Sequence, residues 1–443
     1  MEKSKVQELL GFYENELVRN ILFFWDEKCI DTVHGGYFNC FDNRGDALIS
    51  HDKYTWSQGR FVWLWSKLAA MDCGTFTASE RADFLANAAH GAEFLMRHCL
   101  LAPDDWRCVF LMDESGTPKT VPGWGDRLDL SLAADSFVVS GLAKFALTAN
   151  REDCYTFAKN LYVSIIDRYE RNDFQNLPYP LNPAYHAHGK PMGFSNIAKE
   201  LYEAACLFDP AFAEVLKGHL RKFTEDILTN FVDENYALRE VVRMDGTHLS
   251  SLLGQHMNPG HTIEGMWFMI DAMDITRTHG RAAERGLLCD QPGETDWLKS
   301  IAQITWKALK NGWDEEYGGL LHYCAMDGGE PVGDTHPDEN EPMTQQVLSG
   351  WGDKLWWIHS EALYTTMLLY ARTEDETFWE WNQRIFRYTF EKFPNPNREV
   401  REWIQILKRD GTPQDKVVAL PVKDPYHIMR NMILIVELLY TML

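Results

Sequence analysis

The stretch Asn258-Pro259-Gly260-His261-Thr262-Ile263-Glu264 sets an imidazole and a carboxylate one helical turn apart. They lie behind a Pro-Gly break and ahead of an apolar run that ends near Met273. A helix start here puts His261 at the positive end of the peptide dipoles, which favours the neutral imidazole and suits a general base. The competing reading is a cap or a packed residue. Similar pairs stand elsewhere: Trp56 with Arg60, Asn196 with Glu200, Trp357 with Glu361, and His427 with Arg430. Two imidazoles, a guanidinium and Trp faces, without a phosphate loop or nucleophile elbow, suit proton transfer at carbon. A neutral His removes a proton beside a carbonyl, and Arg stabilises the enolate oxygen. A second His on the opposite face returns a proton and inverts the carbon. Ring-opened sugars offer such a proton at C2, and sugar faces stack on Trp.

The elements that must position these residues repeat. A helix over 5–30 leads to Gly35-Gly36-Tyr37-Phe38-Asn39-Cys40, a turn at Asp42-Asn43-Arg44-Gly45, and a helix from about Thr55 to Ala70. The same order returns as Tyr317 to Tyr323, Met326-Asp327-Gly328-Gly329, and a helix from Lys354 to Tyr370. Looser copies pass through Trp106 to Met112, Leu238 to Met244, and Trp403 to Lys408. Their helices begin near Leu130, at His261 and near Tyr426. A unit around 170–205 keeps a loop and helix without the hairpin. The turns recur roughly every 65–85 residues, so about six units fill the chain. Six helical hairpins that cannot each bury their apolar faces predict an all-α (α/α)6 barrel over residues 1–443. It forms one domain, with short β-hairpins clustered at one end. No βαβ alternation argues for a parallel sheet.

In such a ring the helix after each hairpin is the inner one, and its first turns face the cavity mouth. The residues there are Tyr54, Trp56 and Arg60; Asp129 and Asp135; Asn196 and Glu200; His256, His261 and Glu264; Trp356, Trp357, His359 and Glu361; and Tyr426, His427 and Arg430. Each has a structural alternative: Arg60 as a buried ion pair, the Trp residues as core, Asp135 as a bond to a neighbouring helix. His34 and His322, in hairpins, read as structural. His186-Ala187-His188 has a spacing metals use but lacks a third ligand nearby, so no metal is expected.

Of 443 residues, 45% are hydrophobic, and 16 Trp and 17 Tyr exceed what a core needs, as the walls of a sugar or aromatic site would. A net charge of −22 argues against nucleic acid and anionic membranes and leaves a neutral substrate unopposed. Nine scattered Cys show no zinc or redox spacing, the N-terminus lacks a signal core, and no run approaches a membrane span. The expectation is a soluble cytoplasmic protein with reduced thiols.

Four stretches resemble the N-acylglucosamine 2-epimerase family, which includes renin-binding proteins and, more distantly, cellobiose 2-epimerases and sulfoquinovose/mannose isomerases. They are Lys53-Tyr54-Thr55-Trp56-Ser57-Gln58-Gly59-Arg60, His256 to Glu264, Lys354 to Ala362, and Asp424-Pro425-Tyr426-His427-Ile428-Met429-Arg430. The resemblance implies the (α/α)6 barrel, a homodimer, catalytic His261 and His427 with Arg60 near the substrate oxygens, and a sugar site lined by Glu264, Trp357, Glu361 and Arg430. Tyr54, Trp56, Asn196, His256 and His359 complete the expected substrate-binding set. Cellobiose- and sulfoquinovose-type relatives carry a third His where this chain has Asn196 and Glu200. The His359-Ser360-Glu361 motif reads closer to the acylglucosamine type. No cofactor is expected. Animal enzymes of that type use a nucleotide effector such as ATP, but the chain has no recognisable nucleotide signature.

The leading expectation is therefore an isomerase that epimerises a sugar at C2, with N-acetylglucosamine and N-acetylmannosamine as the pair. The alternatives are an epimerase or aldose–ketose isomerase on an unsubstituted sugar, and an (α/α)6 glycoside hydrolase using Asp135, Glu264 and Glu361. A non-catalytic binding protein would have no use for the His261, His427 and Arg60 set.

Overall fold

The structure, a computed structural model, describes residues 1–277 and 294–443. Its helices alternate between an outer and an inner ring. The outer helices are α1 (Lys3–Glu16), continued through a π-helical turn into α2 (Phe23–Lys28), α4 (Ala78–His98), α6 (Glu152–Glu170), α8 (Pro210–Asp226), α10 (Glu294–Gly312) and α13 (Glu376–Lys392). The inner helices are α3 (Thr55–Ala70), α5 (Leu132–Ala149), α7 (Gly189–Phe208), α9 (Pro259–Arg277), α12 (Trp356–Thr373) and α14 (Tyr426–Thr441). A short α11 (Pro342–Gly350) lies in the loop before α12. Each inner helix packs on the next, and α14 closes the ring against α3 and α1. This is the (α/α)6 barrel that the repeat predicts, and the two clearest inner helices begin within two residues of their expected positions.

The sequence shows why the two rings differ. Inner helices such as α5 and α12 are buried nearly all round and carry apolar or small residues on every face. Outer helices are amphipathic, and α4, α8 and α13 start on side-chain caps. Thr77 accepts from the Glu80 N–H while Glu80 accepts from the Thr77 N–H, a capping box at α4. Asp209 caps α8, with Pro210 in its first turn. One earlier expectation is corrected here, because α5 is long and apolar enough to cross a membrane. Its apolarity is accounted for by packing against α3, α6 and α7.

The expected hairpins form, as where Leu111–Met112 pairs with Pro118–Lys119 across the turn at 113–116, and a further set of pairings joins the units. The short strand before an inner helix pairs with a strand of the following unit, not with its own neighbour. Lys53–Tyr54 pairs with Leu111–Met112, Tyr185–Ala187 with Val241–Arg243, His256–Met257 with Cys324–Ala325, and Lys354–Leu355 with Ile406–Leu407. Ser131 bridges Asn176 in the same sense, and the Lys423 N–H donates to the Asn39 carbonyl to join the last unit to the first. Backbone pairing therefore stitches all six junctions at the end where the inner helices begin.

Three buried lysines fix those junctions. Lys53 bonds Asp31 at 2.6 Å, Lys354 bonds Asp314 at 3.0 Å, and Lys423 pairs with Glu402 at 2.6 Å. Each also donates to backbone carbonyls. Removing one partner of such a pair strands a buried charge at a cost of about 3–5 kcal/mol.

Candidate active site

The first turns of the six inner helices enclose a cavity of about 250 Å³ at the stitched end of the barrel. Asn258 caps α9 by accepting from the His261 N–H at 3.1 Å, and Pro259 opens the helix, so His261 sits in its first turn. The Trp357 indole closes on this turn: a Cβ on Gly260 would lie 2.5 Å from its ring, so only glycine fits. The indole centroid lies 5.3 Å from that of His261 and 5.6 Å from that of His427. Both imidazoles thus flank one flat apolar face.

Each imidazole is held from behind by a carboxylate. His261 Nδ1 lies 2.8 Å from Glu240 Oε1, and His427 Nδ1 lies 2.7 Å from Glu361 Oε1. Donation from Nδ1 orients both rings and leaves Nε2 as the reactive nitrogen. The two carboxylates differ in what else they bind. Glu361 is fully buried and also accepts from Arg430 at 2.6 Å, Asn431 at 2.7 Å and the Trp267 indole at 2.8 Å. Burial would raise it, but Arg430 and His427 hold it below the ordinary carboxylate range. Among the described residues Glu240 pairs with no guanidinium; its other ionisable neighbour is His188, at 3.8 Å. Burial works against a charged His261, yet the Glu240 carboxylate outweighs it and holds the imidazole above its usual value. Glu240 itself, despite burial, is held far below the carboxylate range by His261.

Arg60, on the neighbouring helix α3, faces His427 with Nη2 3.4 Å from Nε2. Because a guanidinium only donates, Nε2 is the accepting nitrogen here, its lone pair turned toward Arg60 where both side chains line the cavity. Asp424 grips Arg60 through Nη1 and caps α14 by accepting from the Tyr426 N–H at 2.8 Å. The guanidinium lies over Phe137 at 4.1 Å, Tyr426 at 4.8 Å and Trp56 at 5.1 Å. The Phe137 contact depends on a close approach of α3 and α5. A Cβ on Gly59 would lie 2.3 Å from the Phe137 carbonyl, and one on Gly141 2.3 Å from the Gly59 carbonyl.

Glu264, Glu361 and His427 converge closely enough to suggest a cation site. The Arg430 guanidinium already bonds both carboxylates, so a metal would meet a fixed positive charge. These residues do not fit a metal.

With this geometry in place, the chain can be set beside known proteins. The model of the N-acylglucosamine 2-epimerase (GlcNAc 2-epimerase) family matches residues 36–431. The chain belongs to that family. It is similar to the N-acylglucosamine 2-epimerase of Bos taurus, 28% identical over 99% of this chain and 94% of that protein. It is also similar to a cellobiose 2-epimerase of Ruminococcus albus, 23% identical over 95% of this chain and 96% of that protein. The solved cellobiose 2-epimerase from Bacillus thermoamylovorans superposes with a TM-score of 0.73 at 19% identity, covering 97% of this chain and 99% of its own, and shares the fold.

Of the expected site residues, Trp56, Arg60, Asn196, His261, Glu264, Trp357, His427 and Arg430 line the cavity together. Four expected binding residues do not line it. Tyr54 packs on Phe110 in a separate apolar cluster. His256 is buried against Tyr323, and its burial lowers its pKa. His359 donates to the Leu355 carbonyl and accepts from the Leu320 N–H at 2.9 Å, which latches the strand after Gly319; burial pushes it down to about 3. Glu361 lies behind His427 as a positioning residue.

Asp129 pairs with Arg107 and Arg127 in the loop before α5, while in the barrel wall Asp135 pairs with Arg168 and Glu200 with Lys144 and Lys199. His186 turns to Tyr169 and Asp226 while His188 turns to Glu240, so the pair does not converge on a metal. His322, expected to be structural, lines the cavity stacked on Tyr323 at 3.9 Å. The sequence reading missed the roles of Glu240 and Asp424. An acid within Leu238-Arg239-Glu240-Val241-Val242 was the one signal for the first, and Asp424 stood at the head of a recognised motif.

Proposed function

We propose that this sugar 2-epimerase acts on N-acylglucosamine, interconverting it with its C2 epimer through the ring-opened aldehyde. The observation that carries the reading is the pair of imidazoles on one indole, each with Nδ1 tied to a carboxylate, and Arg60 beside one of them. His427 Nε2 takes the C2 proton from one epimer. The electron pair moves through C1 onto the carbonyl oxygen, where the Arg60 guanidinium stabilises the enolate. His261, whose pKa Glu240 raises, returns a proton to the other face of C2. In the reverse direction the two imidazoles exchange roles. Positioned acid–base groups of this kind supply about 10²–10⁴-fold each. The first expectation for His261, a pKa lowered at a helix start, is thereby revised: the Glu240 carboxylate raises it against burial.

The glycosidase alternative lacks its carboxylates. Asp135 is spent on Arg168, and Glu264 and Glu361 share Arg430. The deciding experiment is incubation of N-acetylmannosamine in deuterated water. Inversion with one deuterium at C2 supports the reading, and a ketose product or deuterium at C1 overturns it.

A further inference from the structure

The start of α7 breaks two rules that a purely structural helix would keep. Lys190 lies in its first turn, where a cation opposes the helix dipole, and burial pushes its amine down to about 7. It lines the cavity without an acidic partner. The other two basic chains there are neutralised, Arg60 by Asp424 and Arg430 by Glu264 and Glu361. Among the described residues the recorded hydrogen-bond partner of Lys190 is the Asn176 amide oxygen. That amide is turned toward the lysine because its nitrogen donates to the Tyr179 carbonyl at 2.8 Å. The amine therefore keeps N–H donors free whether charged or neutral.

The second broken rule is Gly193, a glycine inside a helix, which weakens the helix relative to alanine. Gly260 and Gly59 are required by contacts under 3 Å, but a Cβ on Gly193 would meet nothing within 4 Å. A Cβ on Gly189 would meet only Glu240 Oε1 and His261 Cε1, both at 4.0 Å. Packing does not demand these glycines. Both line the cavity, and together they leave an open recess beside the His261 imidazole with apolar Met192 and Ile197 nearby. Trp357 and the Arg60–Asp424 pair occupy the sides around the imidazoles, so the α7 side is where a substituent on C2 has room.

We propose that the recess formed by Gly189, Lys190 and Gly193 is the subsite for the acyl substituent at C2, with the Lys190 amine donating a hydrogen bond to the acyl oxygen. The proposal rests on the epimerase reading and names the group that decides its substrate class. The neutral, acceptor-only acyl oxygen takes the spare N–H, and its alkyl end fills the space that the missing Cβ atoms leave.

The test measures binding of two open-chain alditols by titration calorimetry: 2-acetamido-2-deoxyglucitol and glucitol. The wild-type protein is expected to prefer the acetamido compound about tenfold or more. Lys190→Met should cut that ratio about tenfold, and raise KM for N-acetylmannosamine more than it lowers kcat. Gly193→Ala adds one methyl where nothing clashes, so it folds, and should lower the ratio in the same direction. A wild-type protein without preference, or a Lys190→Met variant that weakens both alditols equally, overturns the subsite. Failure of the epimerase reading would look different: no deuterium at C2 of any aldose while the alditol preference persists.

Discussion

Glu240 Oε1 lies 2.8 Å from His261 Nδ1, and this contact sets the charge with which His261 enters the reaction. The carboxylate comes from the loop before α9, just ahead of the Val241–Arg243 strand, and shares no helix with the imidazole it controls. His427 has its own carboxylate in Glu361, but that group is also spent on Arg430, Asn431 and Trp267. The two histidines are chemically alike in sequence and unlike in place.

Glu240→Gln should therefore move a pH profile in a defined direction. The carboxylate raises His261 against the effect of burial, so its removal lets the imidazole fall. The protonated form is then lost at lower pH. The alkaline limb of kcat/KM should shift to lower pH, with a rate loss of about 10–10² at pH 8. An unmoved alkaline limb would reduce Glu240 to a spacer.

Replacing one imidazole at a time should separate the two faces. His261→Asn and His427→Asn are each expected to lower epimerisation by about 10²–10⁴-fold. Each should still exchange the C2 proton of one epimer with deuterated solvent, and the two variants should favour opposite epimers. Nuclear magnetic resonance on each pure epimer reads this directly. Equal exchange of both epimers by either variant would argue for a single base.

Asp424→Asn keeps the cap on Tyr426 but removes the charge that holds Arg60. If Arg60 acts on the developing enolate, kcat should fall about tenfold to a hundredfold with little change in KM, because the interaction belongs to the transition state. Arg60→Met should fall further, by about 10²–10³. A pure rise in KM in both variants would place Arg60 in ground-state binding only.

Acid should destabilise the fold through His322 and His359, both pushed by burial from 6.5 to about 3. They stay neutral in the folded chain, whereas the unfolded chain takes up protons below about pH 6.5. Stability is thus lost as pH falls from 6.5 toward 3, at about 1.4 kcal/mol per pH unit for each group. His359→Gln keeps an acceptor for the Leu320 N–H and cannot titrate there. Its Tm should fall less steeply with acid than that of the wild type. Parallel curves would show that His359 is already charged when folded.

The ring itself was legible because its signal is local and repeated. The period-3.6 apolar faces and the recurring Gly-Gly and Asp-Gly turns mark outer and inner helices, and α3 runs over Thr55–Ala70 as expected. His261, His427 and Arg60 were legible for the same reason, being at equivalent starts of inner helices. The hairpins were legible too, but the pairing between units was not, because composition marks a strand but not its partner. Lys53–Tyr54 pairs across to Leu111–Met112, a choice made by ring closure.

Tyr54, His256, His359 and Glu361 show where the reading fails in the site. Each stands within about five residues of an inner-helix start, so spacing alone gives them the same claim as His427. One helical position, about 100° of rotation, decides whether such a side chain faces the cavity or the wall behind it, and that rotation is set by packing. By itself the sequence determined the barrel, its functional end and the residue types of its chemistry, since these follow from periodicity and composition. Only the tertiary structure decided that Glu240 serves His261, that Glu361 stands behind His427, and that Asp424 holds Arg60. Two of those pairs join separate units and the third joins a loop to the helix after it, and charges apart in the chain act on one another only once folding brings them within about 3 Å in a dry interior.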